Sequence, residues 1–122
     1  MGYAQGTQST ESYNKSVAAA KKLTVSNLKV KAKGKNRTQV SWRKNKNADG
    51  YEIRYSTNGN FKKSVKTVKI DKTNSKKLLK KLKSGKKWYF QIRTYKKLSN
   101  PKTGKTTTVY GKWSKIKKIK IK

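Results

Sequence analysis

Beyond residue 22, apolar and polar residues alternate with period two in short runs, and Gly, Asn, Asp and Ser cluster between the runs. Leu28, Val30 and Ala32 alternate with Lys29, Lys31 and Lys33. Val40 and Trp42 follow in TQVSW, then Tyr51, Ile53 and Tyr55 in GYEIRYS, and Val65, Val68 and Ile70 in SVKTVKI. Trp88, Phe90 and Ile92 continue the series in KKWYFQIRTY, and Ile119 and Ile121 close it. A side chain that changes face at every residue buries one set and wets the other, so each run predicts a half-buried strand. The intervening Gly34-Lys35-Asn36, Asn47 to Gly50, Asn58-Gly59-Asn60, Asp71 to Ser75, Ser84-Gly85 and Ser99 to Gly104 supply turn chemistry. About seven short strands in about 100 residues predict an all-β, antiparallel, seven-stranded sandwich. Its expected core is Leu28, Val30, Val40, Trp42, Tyr51, Ile53, Tyr55, Val68, Ile70, Trp88, Phe90, Ile92, Ile119 and Ile121 of the runs, with Leu79 and Leu82 added.

Two segments depart from the pattern. Residues 1–22 are rich in Gln, Ser, Thr and Ala without apolar periodicity, which reads as a flexible leader or linker with at most a short helix over Ser12 to Lys22. They lack the basic start and apolar stretch of a secretory signal, and the chain contains no apolar run of membrane-spanning length. In KKLLKKLK, Leu78, Leu79 and Leu82 have helical spacing with Lys opposite, as in a helix lying on a membrane surface. Eight residues flanked by strands are better read as a strand and the corner after it.

Leu82, Gly85 and Trp88 stand three apart at that corner, ahead of the alternating Phe90 and Ile92. Together with Trp42 in VSW and the GYEIRYS–NGNF stretch, this order resembles the fibronectin type III pattern over residues 23–122. Tyr110-Gly111-Lys112-Trp113-Ser114 before a Lys/Ile last strand is similar to Lys-rich modules of this family in Gram-positive bacterial surface and secreted proteins. The resemblance implies an immunoglobulin-like sandwich that is rarely catalytic, spaces or attaches other domains of a larger protein, and acts outside the cell or at its surface. One departure is Trp88, where the family usually has Tyr; an indole donates a hydrogen bond but cannot accept one.

Charge narrows the partners. The 122 residues carry 35 Lys and Arg against 4 Asp and Glu, a formal charge of +31. Neither Cys nor His is present, so thiol nucleophiles, imidazole bases, disulfides and N/S zinc sites are excluded. The four acids, Glu11, Asp49, Glu52 and Asp71, are too few for a hard-cation site or paired-carboxylate catalysis without gathering half of them in one place. The chain therefore reads as a binding or structural module with neither cofactor nor metal, drawn to polyanions, and it is expected to be a monomer.

Two groups of residues are candidates for binding. Alternation turns Lys29, Lys31 and Lys33 outward on one strand, and Lys118, Lys120 and Lys122 outward on the last, beside Lys117. Such rows place charges about 7 Å apart and suit an anionic polymer or cell envelope; the competing reading is that they only keep exposed edges from pairing. The second group lies on the face of the third, sixth and seventh strands: Arg54, Tyr89, Arg93, Tyr95 and Trp113. It could stack a carbohydrate or a base, or form an internal cation-π ladder with Trp113 over Arg93 and Arg54. Non-specific nucleic-acid binding is the further alternative, without a recognition helix to support it. Gly104-Lys105-Thr106 lacks the earlier Gly of a phosphate loop and reads as a hairpin tip. Asn14-Lys15-Ser16 and Asn36-Arg37-Thr38 fit the glycosylation acceptor pattern.

Overall fold

The computed structural model describes residues 2–121, with side chains from residue 10 onward. One helix, α1 (Gly2–Lys22), precedes eight strands: β1 (Lys29–Ala32), β2 (Thr38–Ser41), β3 (Gly50–Ser56), β4 (Lys66–Asp71), β5 (Lys76–Leu79), β6 (Lys87–Ser99), β7 (Thr106–Tyr110) and β8 (Lys117–Lys120). They form two antiparallel sheets, one in the order β1-β2-β5 and the other β4-β3-β6-β7, with β8 also paired to β6. The expected sandwich is present with one more strand than the seven predicted.

The extra strand arises from a break in an edge. β7 pairs with β6 through Tyr95↔Tyr110, and β8 pairs with it through Lys87↔Lys120, both on the side of β6 away from β3. Between them the register slips by two residues. There Ser114 replaces regular pairing: its backbone N–H donates to the Ile92 carbonyl at 2.8 Å, and its Oγ accepts from the Ile92 N–H at 3.0 Å. Period-two alternation is blind to such a bulge because a slip of two keeps every side chain on its face.

The core lies between the sheets as the alternation predicts. Leu28, Val40, Trp42, Tyr51, Ile53, Ile70, Leu79, Leu82, Trp88, Phe90, Ile92 and Ile121 are buried, with Val30, Tyr55, Val68 and Ile119 packed at the margin. Val25 and Ala48 join them from connecting segments where no period exists to reveal them. Two apolar positions of the alternating runs lie outside this core. Val65 precedes β4 and is 38% exposed, and its spacing from Val68 is three, not two. Ala32 is inward by register but exposed, because it ends edge strand β1.

The KKLLKKLK segment is a strand and its corner: Leu79 and Leu82 are buried and Leu78 is turned out. The corner is closed twice. Leu82 N–H donates to the Asn36 carbonyl at 3.0 Å, and Asn36 Nδ2 returns a bond to the Leu82 carbonyl at 2.7 Å. That bond uses one of the two hydrogens on the amide nitrogen a glycan would need and holds the side chain against the corner, whereas Asn14 is exposed on α1. Trp88 makes the corner bond as a donor, from Nε1 to the Lys83 carbonyl at 3.0 Å, so the loss of a phenol there costs nothing the indole cannot supply.

The largest difference is α1. It is helical from Gly2, well beyond the predicted Ser12 to Lys22, and packs against β6 and β7. Half-buried Tyr13, Ser16 and Val17 and buried Ala20 recur at three- and four-residue steps, which is one helix face. That face is too small and mixed to register as apolar periodicity, and tertiary contact supplies what propensity lacks. The junction is tight: Lys112 N–H donates to the Leu23 carbonyl at 2.9 Å, and a Cβ on Gly111 would collide with that carbonyl and with Thr94 Oγ1.

Candidate functional site

The outer face of the larger sheet is built by register. β3 turns Glu52 and Arg54 outward, and β6 sets Arg93 opposite Glu52 and Gln91 opposite Arg54. Arg93 Nε and Nη2 donate to Glu52 Oε1 at 2.9 and 2.6 Å, and Arg54 Nε and Nη2 donate to Gln91 Oε1 at 3.0 and 2.6 Å. Each guanidinium is thereby held edge-on by an acceptor, leaving its two flat sides free to stack.

Aromatic rings take those sides. Phe61 lies 4.3 Å from Arg54, Arg54 4.3 Å from Trp113, Trp113 4.2 Å from Arg93, and Arg93 3.7 Å from Tyr110. The result is a five-plate stack in which aromatic and cationic groups alternate, the geometry in which a ring quadrupole attracts a guanidinium. The interrupted edge delivers Trp113: Gln91 Nε2 donates to the Ser114 carbonyl at 2.7 Å and holds the bulge over the sheet. The turn after β3 delivers Phe61, which bonds back to the Asn58 carbonyl and adopts φ 56°, left-handed for a bulky residue. Burial, and then repulsion from Arg93, lower the Arg54 proton affinity, with Glu52 opposing.

Tyr89 and Tyr95 share this face but not the stack. A Cβ on Gly59 would touch the Tyr89 ring at 3.3 Å, so the hairpin turn lies over that ring, and Tyr95 lies against Gly50. Lys69 Nζ sits 5.7 Å from both Tyr95 and Tyr110, and its hydrogen bond to Tyr110 raises its proton affinity. The structure thus joins Arg54, Arg93 and Trp113 in one ladder and leaves Tyr89 and Tyr95 beneath neighbouring groups. Alternation had not revealed Phe61, Tyr110, Glu52 or Gln91 as members. Tyr110 sits three residues before Trp113, a spacing that brackets Arg93 once the bulge exists.

The lysine rows are placed differently. Lys29 and Lys31 lie on the outer face of the three-stranded sheet, opposite Ser41 and Gln39, with Lys33 just beyond. Lys118, opposite Tyr89, and Lys120 lie on the outer face of the other sheet. Lys117 has inward register and lines a cleft of about 390 Å³ with Lys29 and Lys115 at the seam between β1 and β8. The two rows therefore face opposite sides of the molecule although their strands are neighbours. Lys122 lies outside the described residues. Gly104-Lys105-Thr106 is at the tip of the β6–β7 hairpin.

The acids are segregated too. Glu11 is on α1, Asp49 precedes β3, Glu52 is on β3 and Asp71 ends β4, so the three-stranded sheet carries none. Among the described residues Arg93–Glu52 is the only ion pair, no cluster of acidic residues could hold a metal ion, and no helix is long and apolar enough to cross a membrane.

Comparison with known proteins gives one family match and many structural ones. The model of the "Fibronectin type III domain" matches residues 23–110. Among solved structures, the FN1–FN3 domains of chicken CNTN1 align with TM-score 0.66 at 19% identity, over 82% of this chain and 30% of that one. The fn3 domain of human contactin 1 aligns with TM-score 0.60 at 15% identity over 78% and 73%, and the third fibronectin III domain of human KIAA0343 protein with 0.62 at 12% over 82% of each. Curated protein sequences give no match.

Proposed function

From the premise that this chain belongs to the fibronectin type III family, we propose that it is a non-catalytic spacer and attachment module of a secreted or cell-surface protein, holding that protein to an anionic polymer or cell envelope through lysine charge. Domains of this family typically serve as modules of extracellular or surface proteins, commonly beside other domains. The observation that carries the proposal is the charge asymmetry: +31 overall, with one whole sheet free of acids and lined with Lys. Solubility asks for a net charge of about 2 to 8 in a small domain, so solubility alone does not account for it. The rival carbohydrate reading uses the Arg and aromatic face. It is weakened by the ladder itself, in which Trp113 already has a guanidinium on each side.

A heparin column developed with a salt gradient tests the attachment reading. Retention in about 0.15 M salt, with affinity falling steeply and linearly in log salt, is expected of counterion release. Elution in low salt would overturn it. Salt-insensitive binding to a neutral glycan, lost in Trp113→Ala while the fold survives, would establish the carbohydrate reading instead.

A further inference from the structure

We propose that the outer face of the β1-β2-β5 sheet is a track for one extended, base-free phosphodiester polymer of the poly(polyol phosphate) type, a proposal that rests on the attachment reading and names its partner. The track follows from register. Lys29 and Lys31 stand on β1, and across the sheet Ser41 faces Lys76 while Gln39 faces Leu78. Lys29 and Lys31 thus line one side, and Lys76 with Leu78 the other, of a strip floored by Ser41 and Gln39, β1 and β5 being two strand spacings or about 10 Å apart. Lys33 extends the first row and is exposed, as are Lys29, Lys31 and Lys76.

Three properties of this face select the partner. The first is repeat. Successive outward lysines are separated by two residues, six backbone bonds of extended chain, or about 7 Å. A phosphodiester joined through a three-carbon unit also has six backbone bonds from one phosphorus to the next, so an extended thread can set one phosphate against each lysine. A sulfated polysaccharide interposes a sugar ring between linkages and hangs its charges from the ring edges, out of step with the row.

The second is width. A trough of about 10 Å admits one thread but no nucleic-acid duplex, whose major groove alone is about 12 Å wide. The third is the absence of a stacking surface. Single-strand binders hold bases on aromatic platforms, and this face offers Gln39, Ser41 and aliphatic Leu78, 37% exposed, in their place. A polyol spacer needs no ring; its carbons can lie on Leu78 and its hydroxyls can bond Gln39 and Ser41.

Isothermal titration of the full chain with a synthetic glycerol phosphate oligomer, from 0.05 to about 0.3 M salt, tests this. The triple variant Lys29→Gln, Lys31→Gln, Lys33→Gln should bind at least about tenfold more weakly and flatten the log affinity against log salt slope by about 2, three lost contacts at about 0.7 each. A control of equal charge loss away from the track, Lys62→Gln, Lys63→Gln, Lys66→Gln, should change affinity less than about threefold. All six positions are exposed, and melting curves check that both variants fold. Equal losses in the two triples would overturn the track while leaving attachment by diffuse charge intact. Heparin or oligothymidylate binding as tightly as the glycerol phosphate oligomer would overturn the choice of partner. No binding of any of the three in 0.15 M salt would remove the attachment reading as well.

Discussion

The stack from Phe61 to Tyr110 shows how two arginines can be satisfied on the surface of a highly cationic chain. Arg54 and Arg93 repel one another, yet each has an acceptor at its edge and a ring on either side. Trp113 is the shared plate, so removing it exposes both guanidiniums at once. Trp113→Ala should cost about 2 to 4 kcal/mol in urea unfolding, and Trp113→Phe should recover part of the loss. A cost under about 0.5 kcal/mol would mean that the stack contributes nothing measurable. Thr38 offers the opposite experiment: its Oγ1 is buried without a hydrogen-bond partner. Valine keeps the shape and removes the unpaired hydroxyl, so Thr38→Val should stabilise by about 1 kcal/mol, seen as a higher urea midpoint at unchanged slope.

At the scale of elements, what could be read from the chain was what a period reveals. The strand interiors and fourteen of the sixteen expected core positions followed from alternation, because burial on one face of a pleat leaves a direct trace in sequence; Leu79 and Leu82 followed from reading their segment as a strand and its corner. The helix over residues 2–10 left no such trace in the sequence, and among the described side chains of α1 only Ala20 is fully buried. The ladder was half legible. Alternation turned Arg54 and Arg93 outward, but which ring meets which guanidinium depends on the two-residue slip before β8 and on the turn that brings Phe61 over Arg54 on the outer face. Edge protection was also concealed: Lys77, opposite Val40, has inward register on edge strand β5 yet is exposed, a charge that resists further strand pairing. The helix junction makes its own prediction. Gly111→Ala must displace both the Leu23 carbonyl and Thr94 Oγ1, and should destabilise by about 1 to 3 kcal/mol while raising amide exchange in α1 more than in β3. Uniform acceleration throughout the chain would show that α1 and the sandwich open only together.

For the whole molecule, the charge is nearly constant over the range in which most proteins titrate. Without His or Cys, no side chain of ordinary proton affinity changes state between about pH 5.5 and 9. The resolved shifts lie outside that window. Asp71 is held below the usual carboxylate range by the backbone N–H and hydroxyl of Thr73, so its contribution is complete above its unfolded value and lost as pH falls through its folded one. Burial raises the Tyr55 phenol and the Tyr110 hydrogen bond raises Lys69; both contributions are complete below the unfolded values and lost as pH rises through the folded ones. Melting temperature should therefore vary by less than about 3 °C from pH 5.5 to 9 at fixed salt. Lowering salt to about 0.01 M, where the Debye length grows to about 30 Å, should reduce it by more than that through lysine self-repulsion.

On the proposed reading the two faces of the sandwich do different work, one bound internally by its ladder and the other open to an anionic thread. Amide chemical-shift mapping of the full chain during titration with glycerol phosphate oligomer, in about 0.15 M salt, tests that division most directly. Saturable shifts are expected over Lys29 to Lys33, Gln39, Ser41 and Lys76, with the Trp113 indole signal unmoved. Shifts centred on Trp113, Arg54 and Arg93, or small shifts spread evenly over every lysine-bearing segment, would contradict it.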